Sequence, residues 1–387
     1  MTDDSNRIGA LDFLRGFAVM GLLLANLVAI GLPSEAQLSP FAIGTKGPLD
    51  FAAWTFNFLL VDGKFRALFA MMLGASMLLV MESAELDGRD GLKAHRRRML
   101  WLAVFGLVQH LLLWSGDLLL PLAVAGLIAA SLARFDTFGL VKWALGLLAL
   151  QWAIDLIAVL PPFAFIAHWP SFEAMLGGAG SHAVASAGYA ALLIARLRAF
   201  GWDMLGMALF TLPETLAFMV LGMAMLKGGF LSAQWSEAQY RATWRRAYLV
   251  GLVPMAGLAA WMLIGRSPFA AEAAGFGWSV PLRLPLAVAH AALAMGIAIR
   301  WPDNMLVSGV RAVGRLALSN YLLSTLVATT LFYGYGAGLF ARLDRAALFG
   351  AAIVGWAVMI GWSVLWRRQG RRGPAEWLWR RLSHGKS

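Results

Sequence analysis

Long apolar stretches alternate with short polar ones along almost the whole chain, and this alternation predicts membrane-spanning helices. A helix needs about 20 apolar residues to cross a bilayer, and ten stretches approach that length. They are residues 10–31, 64–82, 97–115, 117–134, 138–160, 204–227, 246–265, 281–300, 313–334 and 346–367. The pattern therefore predicts an all-α fold, a polytopic helical membrane protein with about ten transmembrane helices.

Two further segments contain apolar residues but are not predicted to cross the membrane. The stretch Leu49–Val61 has 13 residues, which is short for a crossing, and we interpret it as an outer-face interfacial or re-entrant helix. The long connection 161–203 ends in the amphipathic "YAALLIARLRAF", which is expected to lie on the outer surface. The predicted organisation is an N-terminal membrane bundle (1–160), this outer-face loop (161–203), and a C-terminal membrane bundle with a cytoplasmic tail (204–387).

The composition and the charge distribution fit this organisation and orient it. Hydrophobic residues make up 60% of the chain and charged residues 14%, with a mean hydropathy of +0.69. If the N-terminus is inside, 23 of the 32 Lys and Arg residues fall in inner segments. Basic residues prefer the cytoplasmic side, so we predict an inner-membrane protein with both termini in the cytoplasm. The net charge of +11 then needs no nucleic acid as a partner.

Several kinds of chemistry are excluded by residues that the sequence lacks. There is no cysteine, which rules out disulfides, thiolate catalysis and cysteine metal sites. The chain also has no phosphate-binding glycine loop, no His-Glu-x-x-His pair and no Gly-x-Ser-x-Gly elbow. We therefore expect no metal site and no covalently bound cofactor. The informative residues are polar groups inside the apolar stretches, because such groups usually face the bundle interior or a wet cavity.

The clearest of these groups flank a turn in "GLVQHLLLWSGDLLLPLAV". His110 precedes the turn and Asp117 ends it, and Gly116 is expected to permit the sharp reversal. We predict that His110 and Asp117 share one outward-facing pocket, linked directly or through one water, with Asn26 or Asp155 nearby. The pair is either a structural tie or a general base, His110, that Asp117 orients.

A second group of polar residues lies at the inner ends of the first and ninth predicted spans. Asp12 and Arg15 are three residues apart, which places them on one helix face. We predict that they lie within reach of Arg315 or Asn320 and form an inner vestibule. The alternatives are that Asp12 and Arg15 only fix the fold, and that Asn320 makes an interhelical hydrogen bond.

Three more polar residues lie within the apolar stretches. Glu214 is expected about 15 Å deep, where a carboxylate needs a partner or a proton, and Pro213 beside it is expected to kink the helix. His290 lies at a similar depth, either as a satisfied core histidine or as a ligand contact. Gln109 adds to the outer half. Together the polar residues predict a track from the inner to the outer face.

Five stretches of the chain resemble one bacterial family. They are "RIGALDFLRGFAVMGLLLANLVAIGLP", "KFRALFAMMLGASM", "GLVQHLLLWSGDLLLPLAVAGLI", "GRLALSNYLLSTL" and "GPAEWLWRRLSHG". They resemble the YeiB-type membrane proteins, whose C-terminal half is a domain of unknown function, number 418. The most specific parts are the Leu-Asp-x-x-Arg-Gly start, the His-then-Trp-x-Gly-Asp hairpin and the Gly-Pro-x-Glu-Trp-x-Trp tail.

That family is distantly similar to transmembrane acyltransferases, which include heparan-alpha-glucosaminide N-acetyltransferase and bacterial O-acyltransferases of surface sugars. The shared piece is the opening motif, here Asp12, Arg15 and Gly16. Those acetyltransferases have a catalytic histidine soon after the first span. The first histidine here is His95, in a basic inner loop. If chemistry occurs, His110 has replaced the missing histidine; otherwise the activity has been lost.

The resemblance and the polar residues lead to a first hypothesis, acyl transfer across the membrane. An acyl group would pass from cytoplasmic acyl-CoA, the donor substrate, to a sugar, lipid or small-molecule acceptor at the outer face. His110 would act as the base and Asp117 would orient it, while Glu214 would assist proton movement. Arg15 and Arg315 would attract the anionic CoA.

The alternative hypothesis is a non-enzymatic carrier or binder of a lipid or small amphiphile, with Glu214 and His290 as protonatable gates. The sequence leaves the acceptor, the acyl chain and a homodimeric state open, and membrane lipids are the expected surroundings. The substrate-binding residues predicted for either function are Asp12, Arg15, Asn26, Gln109, Asp155, His290, Arg315 and Asn320.

Overall fold

The computed structural model describes residues 2–160 and 186–384, and the described residues form helices and turns without strands. The first eight helices are α1 (Thr2–Gly31), α2 (Ser34–Leu38), α3 (Pro48–Phe56), α4 (Lys64–Leu86), α5 (Gly91–Leu112), α6 (Leu119–Ala129), α7 (Thr137–Val159) and α8 (Tyr189–Phe210). The others are α9 (Leu212–Lys227), α10 (Glu237–Gly265), α11 (Pro268–Glu272), α12 (Val280–Arg300), α13 (Met305–Arg315), α14 (Ala317–Phe332), α15 (Arg345–Arg368) and α16 (Pro374–His384). The all-α prediction is confirmed.

Many of the helices have the length and the apolar composition of membrane-spanning helices. Within the described ranges, six are long and apolar enough to cross one, and a seventh crossing results if the bent pair α8 and α9 is counted as one. Two shorter apolar helices, Leu119–Leu132 and Ala317–Phe332, lie where the sequence predicted further spans. The chain is therefore a polytopic helical membrane protein, while the number of ten crossings stays a prediction.

The short apolar stretch 49–61 leads directly into the next predicted span, with only a short break between the two helices. Pro48–Leu86 forms one apolar stretch of 39 residues, interrupted at Asp62 and at Gly63, whose φ is 77°. At about 1.5 Å per residue this stretch measures about 58 Å, nearly twice the hydrocarbon thickness. Helix α4 alone is long enough to cross, so the preceding segment remains an additional element at one end of it.

The structure moves one predicted boundary. Helix α8 runs through residue 203 to Phe210, and the chain bends by 52° before α9 begins. Pro213 occupies the first turn of α9, where its missing N–H is tolerated, which agrees with the predicted kink. Glu214 consequently lies in the first turn of α9, not ten residues into a span. Residues 161–185 of the predicted outer-face loop lie outside the described residues.

The packing brings sequence-distant helices together around α1. Helix α1 packs against α4, α12, α13, α14 and α15, and α9 packs against α4, α6 and α7. The C-terminal helix α16 packs against α5 and α14. The first and ninth predicted spans are therefore neighbours, as the predicted inner vestibule requires.

Helices α1 and α13 approach so closely that only glycine fits at the crossing. A Cβ atom at Gly16 would lie 2.0 Å from the carbonyl oxygen of Val310, and one at Gly314 would lie 1.8 Å from that of Asp12. Small residues allow this backbone contact between membrane helices. The glycine of the Asp-x-x-Arg-Gly start therefore has a packing role, and it places Asp12 against α13.

We expect Gly314→Ala to destabilise the protein by about 1–3 kcal/mol, because the added methyl group forces α1 and α13 apart. The matched control is Gly350→Ala in α15, where a Cβ would meet nothing within 4 Å. The control should be neutral or slightly stabilising, since alanine favours a helix over glycine. Thermal melting in detergent compares the two variants, and equal melting temperatures would contradict the close crossing.

Candidate functional site

Two cavities lie in the helix bundle, and they contain most of the polar residues that the sequence singled out. The first is about 240 Å³ and adjoins the α5–α6 turn, and we call it the outer cavity after the orientation that the charges predict. The second is about 810 Å³ and adjoins α16 and the start of α1, and we call it the inner cavity. Polar residues of the outer cavity include Asn26, His110, Trp114, Asp117, Asp155 and Asp203.

His110 faces a carboxylate that the sequence analysis missed. Its Nε2 atom lies 3.3 Å from Oδ2 of Asp203 on α8, and its ring packs edge-on against Phe200. Both side chains are buried. The two groups are at ion-pair distance but not aligned, so neither Nε2 nor the Asp203 oxygens complete a hydrogen bond within the described residues. Both residues line the outer cavity, so these atoms lie at its wall without a protein hydrogen-bond partner among the described residues.

Asp117 shares the outer cavity with His110 but has other partners. Its Oδ2 atom accepts a hydrogen bond from the backbone N–H of Leu120 at 3.0 Å, which caps the start of α6. Its Oδ1 atom accepts a weak one from the hydroxyl of Tyr321 at 3.4 Å. The predicted shared pocket is present, whereas the carboxylate next to His110 is Asp203 and not Asp117.

Gly116, in the turn between α5 and α6, has a different role from the predicted one. Gly116 does not adopt a left-handed conformation. A Cβ atom at this position would lie 2.4 Å from the indole ring of Trp114, so glycine is needed to make room for that ring. The turn thereby holds Trp114 against the outer cavity.

The sequence places Asp203 at the end of the predicted outer-face loop, because the next predicted span begins at residue 204. The signal was present, since "AFGWDMLG" places one carboxylate in an otherwise apolar stretch. Once α8 is continuous to Phe210, that carboxylate lies inside a helix that packs on α5. An isolated acid in such a helix is expected to face a cavity or a partner.

Asn26 and Asp155 both line the outer cavity, as predicted. The Nδ2 group of Asn26 has no hydrogen-bond partner within the described residues, and the same holds for Nε1 of Trp114. Asp155 accepts a hydrogen bond from Nε2 of Gln151 at 2.9 Å. Asn26 and Trp114 thus have unpaired donor groups and line the same cavity as His110.

Glu214 is neutralised and does not line either cavity. Its carboxylate binds Arg66 at 2.5 Å and Arg283 at 2.8 Å, and both arginines border the outer cavity. Two cationic partners explain how a carboxylate is tolerated at this position. The geometry therefore does not favour the predicted role of Glu214 in proton movement. Instead, Glu214 holds the side chains of Arg66 and Arg283 in place.

Two π-helical segments form part of the outer cavity wall. They are Asn57–Val61 and Ala273–Trp278, and they contribute Phe58, Gly275 and Phe276 to the lining. Arg283 donates a hydrogen bond to the carbonyl oxygen of Gly275 at 3.2 Å. Single π turns frequently occur at functional sites, because they free backbone groups and redirect side chains.

The inner cavity is strongly basic. Seven arginines line it, against only two acidic residues, Asp12 and Glu376. The arginines are Arg15, Arg89, Arg98, Arg315, Arg367, Arg372 and Arg380. Guanidinium groups bind phosphates with paired hydrogen bonds, so this cavity suits an anionic, phosphate-bearing molecule.

The predicted inner vestibule forms one wall of this cavity. The carboxylate of Asp12 binds Nε of Arg315 at 2.7 Å and Nη1 of Arg15 at 3.3 Å. Asn320 lies outside the cavity lining, because its amide donates to Val313 and Ser363 and accepts from Trp362 at 2.7 Å. Its predicted substrate-binding role is replaced by the interhelical hydrogen bonds that were the alternative.

The C-terminal helix closes the inner cavity on one side. Glu376 accepts hydrogen bonds from the backbone N–H groups of Leu318 and Ser319 at 2.7 and 3.0 Å, which caps α14. Trp379 donates to the carbonyl oxygen of Arg98 at 2.9 Å, and the Arg98 guanidinium stacks on its ring. The Glu and second Trp of the tail motif therefore hold α16 against the bundle.

His290 and Gln109 line neither cavity. The Nδ1 group of His290 donates to the carbonyl oxygen of Leu286 at 2.6 Å, and its ring packs among aromatic rings that include Phe65 and Tyr248. Gln109 donates to the hydroxyl of Thr325 at 3.3 Å. The geometry favours the core-histidine alternative for His290 and a structural role for Gln109.

The two cavities are lined by neighbouring residues of the chain, which form a partition between them. The adjacent residues Leu118 and Leu119 line the outer and the inner cavity, respectively. The hydroxyl of Tyr321 accepts a hydrogen bond from the backbone N–H of Leu118 at 3.1 Å, and the Tyr321 ring stacks on Phe69, which lines the inner cavity.

Among the described residues no cluster of His, Cys, Asp and Glu is suited to hold a metal ion.

Comparison with known proteins gives relatives without an assigned activity. Residues 225–386 match the family described as "Protein of unknown function (DUF418)". The chain is 33% identical over 400 residues to "Uncharacterized protein YeiB" of Escherichia coli (strain K12), covering 96% of this chain and 95% of that protein. It is 26% identical over 403 residues to "Uncharacterized protein YxaH" of Bacillus subtilis (strain 168), covering 98% and 95%. No solved structure matches the chain.

Proposed function

The chain belongs to the YeiB-type DUF418 family of membrane proteins, and we propose that it is a transmembrane acyltransferase. It takes an acyl group from acyl-CoA in the inner cavity and transfers it to an acceptor in the outer cavity. One observation carries the proposal: two cavities of different chemistry lie back to back, divided at the neighbouring residues Leu118 and Leu119.

The inner cavity supplies the donor side of this reaction. Its seven arginines exceed its two acidic residues by five, and CoA carries several phosphate charges that such a surface attracts. The volume of about 810 Å³ falls within the range typical of small-molecule sites. The indole of Trp379 and the Arg98 guanidinium stacked on it both line this cavity.

The outer cavity supplies the base. Nε2 of His110 removes the proton from an acceptor hydroxyl or amine, and Asp203 at 3.3 Å stabilises the imidazolium that forms. The acceptor atom attacks the thioester carbon, the carbon–sulfur bond breaks, and the proton is finally delivered to the sulfur of CoA. The acyl end of the donor must pass the partition between Leu118 and Leu119 for these atoms to meet.

The purified protein in detergent tests the proposal when it is mixed with acetyl-CoA. Saturable binding of acetyl-CoA, together with slow release of free CoA thiol in the absence of an acceptor, supports acyl transfer. A co-purified lipid in the bundle, with no response to acetyl-CoA, overturns the proposal and supports the carrier function instead.

Two arginine variants probe the inner cavity. We expect Arg15→Gln and Arg315→Gln each to weaken acetyl-CoA binding about tenfold, because a hydrogen bond between charged groups contributes about 1.5–3 kcal/mol. The matched control is Arg246→Gln, an exposed arginine of α10 that does not line the cavity. Calorimetric titration measures the dissociation constants. If the control weakens binding as much as the other two, the attraction is only that of the net charge.

The proposed direction of transfer requires a defined orientation. We propose that the protein lies in the bacterial inner membrane with both termini in the cytoplasm, since basic residues concentrate on the predicted inner side. A phosphatase that works only in the periplasm is expected to be inactive when fused after Ser387. The same phosphatase inserted within residues 161–185, on the predicted outer face, should be active. The reverse result would invert the orientation and assign the arginine-lined cavity to the periplasmic side.

A further inference from the structure

We infer that the outer cavity binds a small, neutral polyhydroxy compound and discriminates against anionic ones. The inference deepens the proposed function, because it identifies the chemical class of the acceptor. It stands on three independent properties of the cavity: the hydrogen-bonding groups left free, the balance of charge, and the volume.

The free hydrogen-bonding groups call for a ligand that both donates and accepts. Asn26 Nδ2 and Trp114 Nε1 are donors without partners among the described residues, and both oxygens of Asp203 are acceptors without one. His110 Nε2 is also unpartnered, and His110, Trp114 and Asp203 are each more than nine-tenths buried. A buried polar atom left unpaired is destabilising, so a ligand that pairs with these groups gains binding energy from them. Hydroxyl groups both donate and accept, and therefore match this mixed set.

A phosphate or carboxylate group matches these unpaired donors and acceptors less well than a hydroxyl group does. An ionised anion only accepts hydrogen bonds, so it would satisfy Asn26 and Trp114 but would leave both Asp203 oxygens without a donor. It would also bring a negative charge next to that carboxylate, which is unfavourable in a poorly solvated site.

The charge balance of the cavity points the same way. Four acidic side chains line it, Asp62, Asp117, Asp155 and Asp203, against three basic ones, Lys64, Arg66 and Arg283. Two of those three, the arginines, are already bound by the carboxylate of Glu214 behind them. The outer cavity therefore has an excess of acidic groups, in contrast to the inner cavity with its seven arginines.

The volume limits the size of the ligand. A cavity of about 240 Å³ holds about eight water molecules at about 30 Å³ each, which corresponds to a single sugar ring or a short linear polyol. A glycan chain or a two-chain lipid is larger than this cavity and would extend out of it. Leu22, Phe58 and Pro121 supply apolar lining that suits the C–H faces of such a molecule.

Ligand-detected NMR on the full-length protein in detergent tests the inference with defined probes. The neutral probes are glucose, mannitol and glycerol, and the anionic probes are glucose 6-phosphate and gluconate. We expect saturation transfer to at least one neutral probe, and dissociation constants at least tenfold weaker for both anions. Failure of all three neutral probes, or equal binding of an anion, overturns the inference.

Two variants and a control locate the binding. Trp114→Phe removes one free donor, and Asp203→Asn replaces one acceptor, and each should weaken binding of the neutral probe at least fivefold. Trp261→Phe, at a tryptophan outside the lining, should leave it unchanged. Binding that survives both cavity variants lies elsewhere on the protein and overturns the inference.

The test separates this inference from the proposed function on which it rests. Binding of a neutral polyol with no response to acetyl-CoA leaves the site in place and overturns acyl transfer. Release of CoA thiol without polyol binding leaves acyl transfer in place and overturns the identification of the acceptor.

Discussion

His110→Ala is expected to lower the rate of acyl transfer by about 10²–10⁴-fold, the usual contribution of a general base, while binding of acetyl-CoA is unchanged. The separation follows from the geometry, because His110 lines the outer cavity and the seven arginines proposed to attract CoA line the inner one. Release of CoA thiol in the presence of an acceptor measures the rate, and calorimetric titration measures the binding.

A second substitution at the same position keeps this prediction testable if the alanine variant is unstable. His110→Gln retains a hydrogen-bonding side chain of similar size and should be equally inactive. Asp203→Asn should slow turnover more than Asp117→Asn, since Asp203 lies at 3.3 Å from the imidazole and Asp117 is occupied by Leu120 and Tyr321. His290→Phe is the matched control, because its aromatic surroundings accept a phenyl ring and it lines neither cavity.

Any of three results would contradict the assignment of His110 as the base. One is full turnover in His110→Gln. Another is an equal loss of turnover in His290→Phe, which would indicate a general effect on the fold. The third is a loss of acetyl-CoA binding in parallel with turnover, because a residue of the outer cavity should not contribute to the donor site.

Glu214→Gln is expected to destabilise the protein by about 3–5 kcal/mol, because it leaves two cationic side chains without their counter-ion in the bundle. The lower end of that range is the better expectation, since the side chain of Arg66 is 32% exposed. Arg283, at 12% exposure, has less access to water and provides most of the penalty. The measurement is the melting temperature in detergent together with the yield of monodisperse protein.

The matched control for this ion pair lies on the surface of the same protein. Glu237 binds Arg300 at 2.7 Å, with side-chain exposures of 37% and 52%. Glu237→Gln should change stability by less than about 1 kcal/mol, because water and salt screen an exposed pair. If the two glutamine variants melt at the same temperature, Glu214 does not balance the arginines in the way that the geometry indicates.

The polar residues that the sequence singled out show which parts of the candidate site could be predicted. The rule that a polar group in a membrane helix is costly correctly singled out Asn26, His110 and Asp117 as outer-cavity residues. The same rule selected His290, which donates to Leu286 of its own helix, and Asn320, which donates to Ser363 of α15. The rule identifies residues that need a partner, but it cannot tell a protein partner from a ligand.

Asp203 and Glu376 illustrate what the sequence order concealed. Asp203 was assigned to a surface loop, and only the continuous course of α8 to Phe210 places its carboxylate beside His110. Glu376 lies in the tail, and its hydrogen bonds to α14 depend on the docking of α16 against the bundle. In both cases the contact joins segments that are far apart in the chain.

The sequence by itself determined the membrane class and the all-α fold, because the length of an apolar stretch and its helical content are local properties of the chain. Only the tertiary structure decided which polar groups meet. Their meeting depends on the rotation of each helix, on the bend before α9, and on the π-helical segments at Asn57–Val61 and Ala273–Trp278. Each irregularity turns the side chains that follow it by a fraction of a helical turn. A rotation of that size is invisible in hydropathy, yet it decides whether a carboxylate faces an arginine, a histidine or an empty cavity.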